Sequence, residues 1–388
     1  MTAVDAVGTR DLAALVGPVR HGRGGTPEEA FARGAWTAIV EPGDAVASAL
    51  IATLGAADAL EALLLDAPPV RDRRLVDAFT RWRPRAQPAL LREAFAAAAR
   101  VHARLVLPGD EDWPAGLDDL AEHAPLALWA RTGCERVPDL RRSIALVGTR
   151  DATSYGRRVT EELGSGLVGR GFAIVSGGAA GIDRGAHQAA IRAGGTTAAI
   201  MAGGVDRLYP QGNRDLLERI AVEGVVLSEL ACGSTPMRQR FLSRNRLIAA
   251  SSRVTTVVEA GVPSGAINTA AHAGELGRPI AVVPGSIHSS ASKGCHKLLR
   301  EYAAVLVQTA ADVAELARDR DTAVPLDGID LELDPLERQV LDALGRSPLA
   351  VPEIARRCGI PRVDAAAVLA VLGLDGAAVE GPRGWVRG

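Results

Sequence analysis

The order of apolar and polar positions divides the chain into three regions. In the first, residues 1 to about 100 are rich in Ala and Leu, and the stretches 45–65 and 89–101 repeat apolar positions with the period of a helix. Short breaks containing Gly and Pro separate these stretches. The pattern predicts a small helical bundle over residues 1–102.

From about residue 103 the pattern changes to short, continuous apolar runs. They read RLVL, SIALVG, FAIVSG, TAAIMAGG, VVLSE, VTTVVEAG, PIAVVPG and AVLVQ, and most are separated by stretches long enough for a helix. Continuous apolar strands alternating with helices are typical of a parallel sheet covered on both faces. We predict an α/β fold, an extended Rossmann-like doubly wound sheet over residues 103–318, with its ligand crevice at the carboxyl ends of the strands.

The third region follows a predicted linker at 319–330. Residues 331–388 contain three helical patterns and a short hairpin pattern, which is the outline of a winged-helix domain. The candidate recognition helix, RVDAAAVLAVLGL, has almost no polar or basic face. We therefore expect this domain to contact protein or to regulate, rather than to grip DNA.

Composition limits the cellular compartment and the kinds of site that we expect. In 388 residues no stretch approaches the roughly 18 to 20 apolar residues that span a bilayer, and the first residues lack the basic cluster and apolar run of a secretory signal. The cysteines Cys134, Cys232, Cys295 and Cys358 lie far apart without CxxC spacing. We expect a cytoplasmic protein with no disulfide framework, no metal site and no cofactor.

The formal net charge of −2 offers no global sign of a nucleic-acid partner. A polyanion binder needs basic groups, so any positive field here must be a local patch. Lysine occurs only at Lys293 and Lys297, and arginine supplies the remaining positive charge.

Glycine-rich loops at the ends of two predicted strands are the first candidate site. The run SIALV leads into Gly148, and FAIV leads into a second loop that opens a helix carrying Arg184 and His187. Glycine lets the backbone approach an anion, while a helix N-terminus offers free N–H groups and an arginine adds a fork for phosphate. The candidate residues in these loops are Gly148, Thr149, Arg150, Ser176, Gly177 and Gly181.

The segment 236–248 is the sharpest feature. Four arginines surround Phe241 in a chain that is 3% aromatic. A base stacked on an aromatic ring, with guanidinium groups at the phosphates, is how proteins commonly hold a single strand. Alternatively, Phe241 is a core residue and the arginines form a solvated helix face. Asn245 is a separate candidate for a helix cap. The candidate residues are Arg238, Phe241, Arg244, Asn245 and Arg246.

Two later loops continue the pattern. One contains Ser264 and Gly265 before a helical stretch, and the other carries both lysines, of which Lys293 is the candidate for a basic lip on the crevice. Ordinary turn chemistry explains each loop taken singly. Several such loops at consecutive strand ends favour an anion site.

Known nucleotide fingerprints do not fit. The P-loop pattern GxxxxGK[ST] does not occur. A GxGxxG pattern at Gly164, Gly166 and Gly169 falls inside a predicted helix, which is the wrong context for dinucleotide binding and argues against an oxidoreductase.

Taken in order, these segments resemble the DNA-processing protein A (DprA/Smf) family. They read GTRDATSYG at 148–156, SGGAAGIDRGAH at 176–187, GVDRLYPQGN at 204–213, SE at 228–229, FLSRNRLI at 241–248, VVEAGVPSG at 257–265 and VPGSIHSSASKG at 283–294. Leu242 replaces the family's usual proline, and Cys295-His296 stand where Thr-Asn is frequent.

The resemblance implies a function. Members bind single-stranded DNA, usually as homodimers, and load the RecA recombinase during natural transformation (competence) and recombination, without being enzymes. By position, Arg150 would hold a phosphate, Arg238 would add a basic group, and Phe241 would stack on a base, while Asn245 and Arg246 would shape the pocket. The first helices would be a SAM- or helix-hairpin-helix-like domain.

A nucleotide-processing enzyme is the competing hypothesis. Phosphoribohydrolase-like proteins also combine strand-end glycine loops with a glutamate, and Glu259, His187 and His272 could act as acid–base groups. Their signature PGGxGTxxE does not occur in this chain. Lone histidines beside apolar positions are more often packing or hydrogen-bonding residues.

Overall fold

The computed structural model describes residues 9–20, 25–70, 72–318, 335–345, 347–374, 377–381 and 384–387. They fall into two compact units, which divide between residues 318 and 319. The predicted linker at 319–330 lies outside the described residues.

The first unit begins with helices whose caps are encoded locally. The Asp44 side chain accepts hydrogen bonds from the Val46 and Ala47 N–H groups, and Asp72 caps the helix that begins at Arg73. The helices are α1 (Thr9–Val16), α2 (Pro27–Ile39), α3 (Ala45–Leu54), α4 (Ala56–Leu64), α5 (Arg73–Trp82) and α6 (Pro88–Arg100). Among the described residues no single helix is long and apolar enough to cross a membrane. Helices α3 and α4 together have the necessary length and apolar composition, but the chain bends by 111° between them.

Within the described residues, nine strands form one mostly parallel sheet in the order β1-β2-β6-β5-β4-β3-β7-β8-β9. The strands are β1 (Arg104–Val106), β2 (Leu128–Arg131), β3 (Ser143–Val147), β4 (Ala173–Ser176), β5 (Thr197–Ile200), β6 (Val225–Ser228), β7 (Val254–Val257), β8 (Ile280–Val282) and β9 (Val305–Leu306). Strands β1, β2 and β6 pair antiparallel, and the remaining pairs are parallel. The predicted α/β class is confirmed, whereas the sequence did not reveal β2.

Helices cover both faces of the sheet. They are α7 (Ser154–Val168), α8 (Ile182–Arg192), α9 (Arg214–Glu223), α10 (Arg238–Ala250), α11 (Gly265–Glu275), α12 (Lys293–Glu301) and α13 (Ala310–Leu316). Side chains of β3 alternate between the two cores: Ile144 packs with α7 and α8, whereas Ala145 packs with α10 and α11. The GxGxxG pattern does lie in and at the end of α7, where Gly164 allows close packing against Ala189 of α8.

The first helices pack directly on the antiparallel side of this sheet. The Phe95 ring lies 5.3 Å from the Trp129 ring of β2, edge to face, and the Trp129 indole N–H donates to the Thr37 hydroxyl at 2.9 Å. One apolar core therefore continues from α2 and α6 into the sheet. The domain boundary drawn at residue 102 stays a prediction.

The second unit has the winged-helix outline predicted from the sequence. Its elements are α14 (Pro335–Ala343), α15 (Val351–Cys358), α16 (Arg362–Leu374), β10 (Ala378–Gly381) and β11 (Gly384–Arg387). Strands β10 and β11 form an antiparallel hairpin, and Val340, Ile354 and Leu369 share the core. On α16 the exposed side chains include Val363, which is 75% exposed.

Candidate nucleic-acid interface

The sheet reverses its strand order at β3. From β3 the chain moves to β4, β5 and β6 on one side and then returns to place β7 on the other side of β3. The loops after β3 and β7 therefore diverge, which opens a crevice at the carboxyl ends of the strands. Its volume is about 860 Å³.

The loop after β3 forms one wall and is fastened from two sides. The Thr149 N–H donates to the Glu259 carbonyl at 2.7 Å, and the Thr149 carbonyl accepts from the Ile182 N–H at 3.1 Å. The buried Glu259 carboxylate accepts hydrogen bonds from the Thr153 N–H at 2.9 Å and from its hydroxyl at 2.6 Å. The loop is thus rigidly positioned while the Arg150 side chain lies exposed at the crevice.

The glycine-rich loop after β4 uses its polar groups internally. The Ser176 hydroxyl donates to the Leu146 carbonyl at 2.7 Å, and the buried Asp183 carboxylate accepts from the Gly177 and Ala179 N–H groups at 3.1 and 3.3 Å. Burial raises the pKa of Asp183. The positive charge of Arg244 acts in the opposite direction but has the smaller effect. These N–H groups bind the protein's own carboxylate, so a role of Ser176 and Gly177 in holding phosphate stays a prediction.

Gly181 brings that loop against the first one. It has φ 77°, and a Cβ atom there would lie 2.2 Å from the Thr149 carbonyl oxygen. Only glycine fits this backbone and this approach. Gly181 therefore supports the Arg150 loop, and Gly181 itself does not line the crevice.

Helix α10 supplies the floor of the crevice. Phe241 is half-buried there, with the guanidinium carbons of Arg150 and Arg244 at 5.5 and 5.8 Å from its ring centre and the Tyr209 ring at 5.8 Å. Arg238, one turn earlier, is exposed at the same crevice. An aromatic face flanked by cations can stack a base and hold the phosphates beside it.

Arg244 is a buried structural arginine. Its guanidinium group donates to the Gly177 carbonyl at 2.8 Å and to the Ile200 carbonyl. A Cβ atom on Gly177 would lie 2.6 Å from that group, so the glycine makes room for it. Burial lowers the pKa of Arg244 to about 10, which leaves the group charged at neutral pH.

The cap suggested for Asn245 is wrong. Helix α10 begins at Arg238, and the Asn245 amide instead donates from mid-helix to the Gly265 carbonyl at 3.3 Å and the Asn268 side-chain oxygen at 3.1 Å. The helix starts earlier because no residue from Arg238 to Asn245 breaks it. Asn245 thereby links α10 to α11 across the crevice floor.

Arg246 points elsewhere. It donates to both carboxylate oxygens of Glu229, at 2.6 and 2.5 Å, and to the His123 carbonyl at 3.0 Å. Both partners of the ion pair are 7% exposed, and Arg246 does not line the crevice.

The loop after β7 completes the opposite wall. The Ser264 hydroxyl accepts from the Ala266 N–H at 3.2 Å and caps α11, and Gly265 follows it at the crevice. Lys293 is exposed at the first position of α12 but does not line this crevice.

Of the fourteen predicted site residues, all within the described part of the chain, nine line the crevice. They are Gly148, Thr149, Arg150, Arg238, Phe241, Arg244, Asn245, Ser264 and Gly265.

Sequence reasoning missed Tyr209 as a crevice residue. Its ring packs against Phe241 and is 45% exposed. An exposed aromatic side chain is conspicuous in a chain with only three tyrosines, and that signal could have found it.

The acid–base groups of the enzyme hypothesis lie apart. Glu259 holds Thr153, the buried His187 shares a hydrogen bond of 2.7 Å with the Thr197 hydroxyl, and His272 pairs with Glu275 at the end of α11. Each is engaged by a different partner, and none of the three lines the crevice.

A doubly wound sheet with a cationic, aromatic crevice at its switch point places the protein among Rossmann-like α/β proteins that bind at the carboxyl ends of their strands. Residues 104–318 match the family described as DNA recombination-mediator protein A, and residues 325–384 match the winged-helix domain of the same family. The chain belongs to the DNA recombination-mediator protein A (DprA/Smf) family.

Individual relatives agree with this assignment. A protein from Mycobacterium tuberculosis described as DNA processing protein DprA is 45% identical over 294 residues, which cover 71% of this chain and 74% of that protein. DprA from Streptococcus pneumoniae is 37% identical over 53% of this chain and 71% of its own length. The X-ray structure of DprA from Streptococcus pneumoniae superposes with a TM-score of 0.60 at 28% identity, covering 73% of this chain and 95% of that one.

Proposed function

We propose that the crevice between the β3 and β7 loops binds single-stranded DNA, without regard to sequence. The observation that carries the proposal is Phe241, whose half-buried ring lines a crevice of about 860 Å³ with its centre 5.5 Å from the Arg150 guanidinium carbon. Unstacked bases can reach such a ring, whereas bases in a duplex are already stacked. In this proposal Arg150 and Arg238 hold the adjoining phosphates.

In this proposal the bound strand is handed to the RecA recombinase in natural transformation and recombination. The support is membership of a family described as recombination mediators. An assay of RecA filament formation on single strands coated with single-strand-binding protein tests it: the chain should shorten the lag, and an unchanged lag would contradict the hand-off.

The protein would act as a homodimer. Strand β9 is the last strand of the sheet, and its Val305 and Leu306 are 44% and 48% exposed. An apolar sheet edge of this kind invites pairing with another chain. Light scattering on the purified protein should give twice the chain mass, and Val305→Lys should shift it to the monomer.

The first experiment measures binding of a labelled oligo-dT and of a duplex across a salt series. The single strand should bind more tightly, its affinity should fall as salt rises, and Arg150→Ala should weaken it about tenfold or more. Arg219→Ala is the matched control, since Arg219 is exposed on α9, paired with Glu223 and remote from the crevice lining.

Nucleotide hydrolysis is the competing outcome. Wild-type protein that binds no single strand but hydrolyses a nucleotide, with the activity abolished in Glu259→Ala, would replace this proposal with the enzyme hypothesis. Because Glu259 also fastens Thr153, that variant needs a parallel check of its folded state.

A further inference from the structure

A second groove adjoins the crevice and shares Arg150 with it. It has a volume of about 590 Å³ and runs between α7 and α8. Helix α8 contributes Arg184, Gln188 and Arg192, which are spaced four residues apart and so lie on one face over about 12 Å. Arg157 lies on the opposite side of the groove, on α7.

The end of this groove nearest the crevice is positively charged. Within the described residues, Arg150, Arg157 and Arg184 form no ion pair. Arg184 makes only long hydrogen bonds, 3.4 Å to the Gly212 carbonyl and 3.3 Å to the Asn213 side-chain oxygen, and Arg157 donates to the Ala152 carbonyl. Asp151 at the rim offsets one of the three charges, which leaves an excess of about two.

The far end of the groove is neutralised. There Arg192 forms an ion pair with Glu161 across the two helices. In a chain with a formal net charge of −2, a cluster of arginines without ion pairs that continues a cationic crevice is a local positive patch. The positive charge of the groove is therefore largest at the end near Arg150 and decreases toward Arg192.

We infer that a single strand leaving the crevice at Arg150 continues into the α7–α8 groove, where Arg157 and Arg184 bind its backbone phosphates. This inference rests on the proposed function of the crevice. The described residues that line the groove include no aromatic side chain, so it holds sugar and phosphate rather than stacked bases. The track ends at the ion pair of Arg192 with Glu161.

Oligonucleotide length separates the groove from the crevice. Affinities are measured for an oligo-dT of about 6 nucleotides, which the crevice can hold, and for one of about 20 nucleotides, which can also enter the groove. The double variant Arg157→Gln/Arg184→Gln should bind the longer strand about fivefold to tenfold more weakly, with a salt slope smaller by about 1.4, or about 0.7 for each lost phosphate contact. Its affinity for the shorter strand should equal that of the wild type.

Arg141→Gln/Arg219→Gln is the matched control. It removes the same charge from two exposed arginines, each paired with a carboxylate, that lie before β3 and in the second half of α9, toward the amino ends of the strands and outside the groove lining. The control should leave both affinities within about twofold of the wild type, because charge far from the strand is screened.

Neutral methylphosphonate linkages locate the contact. Methylphosphonates at one end of the longer strand should weaken its binding to the wild type. The same replacement at the other end should weaken binding less. The double variant should be insensitive to the replacement that weakens the wild type, since its phosphate contacts are already lost.

The outcomes separate the two proposals. If the wild type fails to bind the shorter strand, the proposed function of the crevice is wrong. If the shorter strand binds but the double variant has the same affinity for the longer strand as the control variant, the proposed track along α7 and α8 is wrong. The track is also wrong if the double variant loses affinity equally for both strand lengths.

Discussion

The two halves of helix α10 have similar sequences and opposite surroundings. The first half, RQRF, exposes Arg238 and the ring of Phe241 to the crevice, whereas the second half, SRNR, buries Arg244 and Arg246. Arg244 binds the carbonyls of Gly177 and Ile200, and Arg246 binds Glu229. One helix thus carries arginines that can bind a ligand and arginines that hold the fold.

The difference shows how the floor of the crevice is kept rigid. The buried guanidinium groups of Arg244 and Arg246 fix α10 against the residues that end or follow β4, β5 and β6. These contacts are strongly maintained because an unpaired buried charge is costly. Phe241, one turn before Arg244, is held at a defined height in the crevice as a result. Each half can be tested by removing its charge or its ring.

Arg246→Ala should have the largest effect, on stability. It leaves Glu229 buried without its partner, so the free energy of unfolding should fall by about 3–5 kcal/mol. Urea unfolding followed by circular dichroism measures the loss. Arg238→Ala, by contrast, should stay within about 0.5 kcal/mol of the wild type, and equal losses in the two variants would remove the distinction between the halves.

His187, which is buried on α8 near Arg244, should also make stability depend on pH. Burial and the charge of Arg244 lower the pKa of His187 from its ordinary value of 6.5 to about 3. Between these values the unfolded chain binds a proton that the folded chain excludes, so stability is highest above pH 6.5 and falls as the pH drops toward 3.

The contribution of His187 should be about 3 kcal/mol lost by pH 4. His187→Asn keeps a donor near Thr197 but does not titrate, so its unfolding free energy should vary less steeply with pH than that of the wild type. Identical slopes for the two proteins between pH 4 and about pH 6.5 would show that His187 does not contribute.

Phe241→Ala should weaken binding of oligo-dT by about 1–3 kcal/mol, the usual value of one stacked base. The ring is half-buried at the crevice, so the folded state should persist. Fluorescence anisotropy measures the loss, and Phe241→Tyr, which keeps the ring, should retain most of the affinity. Equal weakening by Tyr and Ala would mean that stacking is not the interaction.

Arg238→Gln should have the smallest effect. Losing one exposed phosphate contact should reduce the salt slope for single-strand binding by about 0.7. Arg240→Gln is its matched control on the same helix, because Arg240 is paired with Glu41, in the turn between α2 and α3, and does not line the crevice. If both variants change the slope alike, Arg238 has no specific place on the strand.

Much of the architecture could be predicted from the chain because it is encoded locally. The run SIALV is buried throughout in β3, and its four consecutive apolar residues are typical of a strand that is covered on both faces. Strand β2 was missed because LWAR is short and joins the sheet antiparallel through contacts with β1 and β6. Its pairing partners, rather than its own pattern, make it a strand.

The sequence by itself determined the class of fold, the order of the strand-end loops and the family, because these depend on periodicity and on residues close together in the chain. Only the tertiary structure decided which arginines are exposed at the crevice and which are buried. Arg244 is buried by Gly177, 67 residues away, and Arg246 by Glu229 and His123, so their roles depend on partners that no local pattern reveals. A guanidinium group binds whichever acceptor the fold brings to it, and that choice is made by packing.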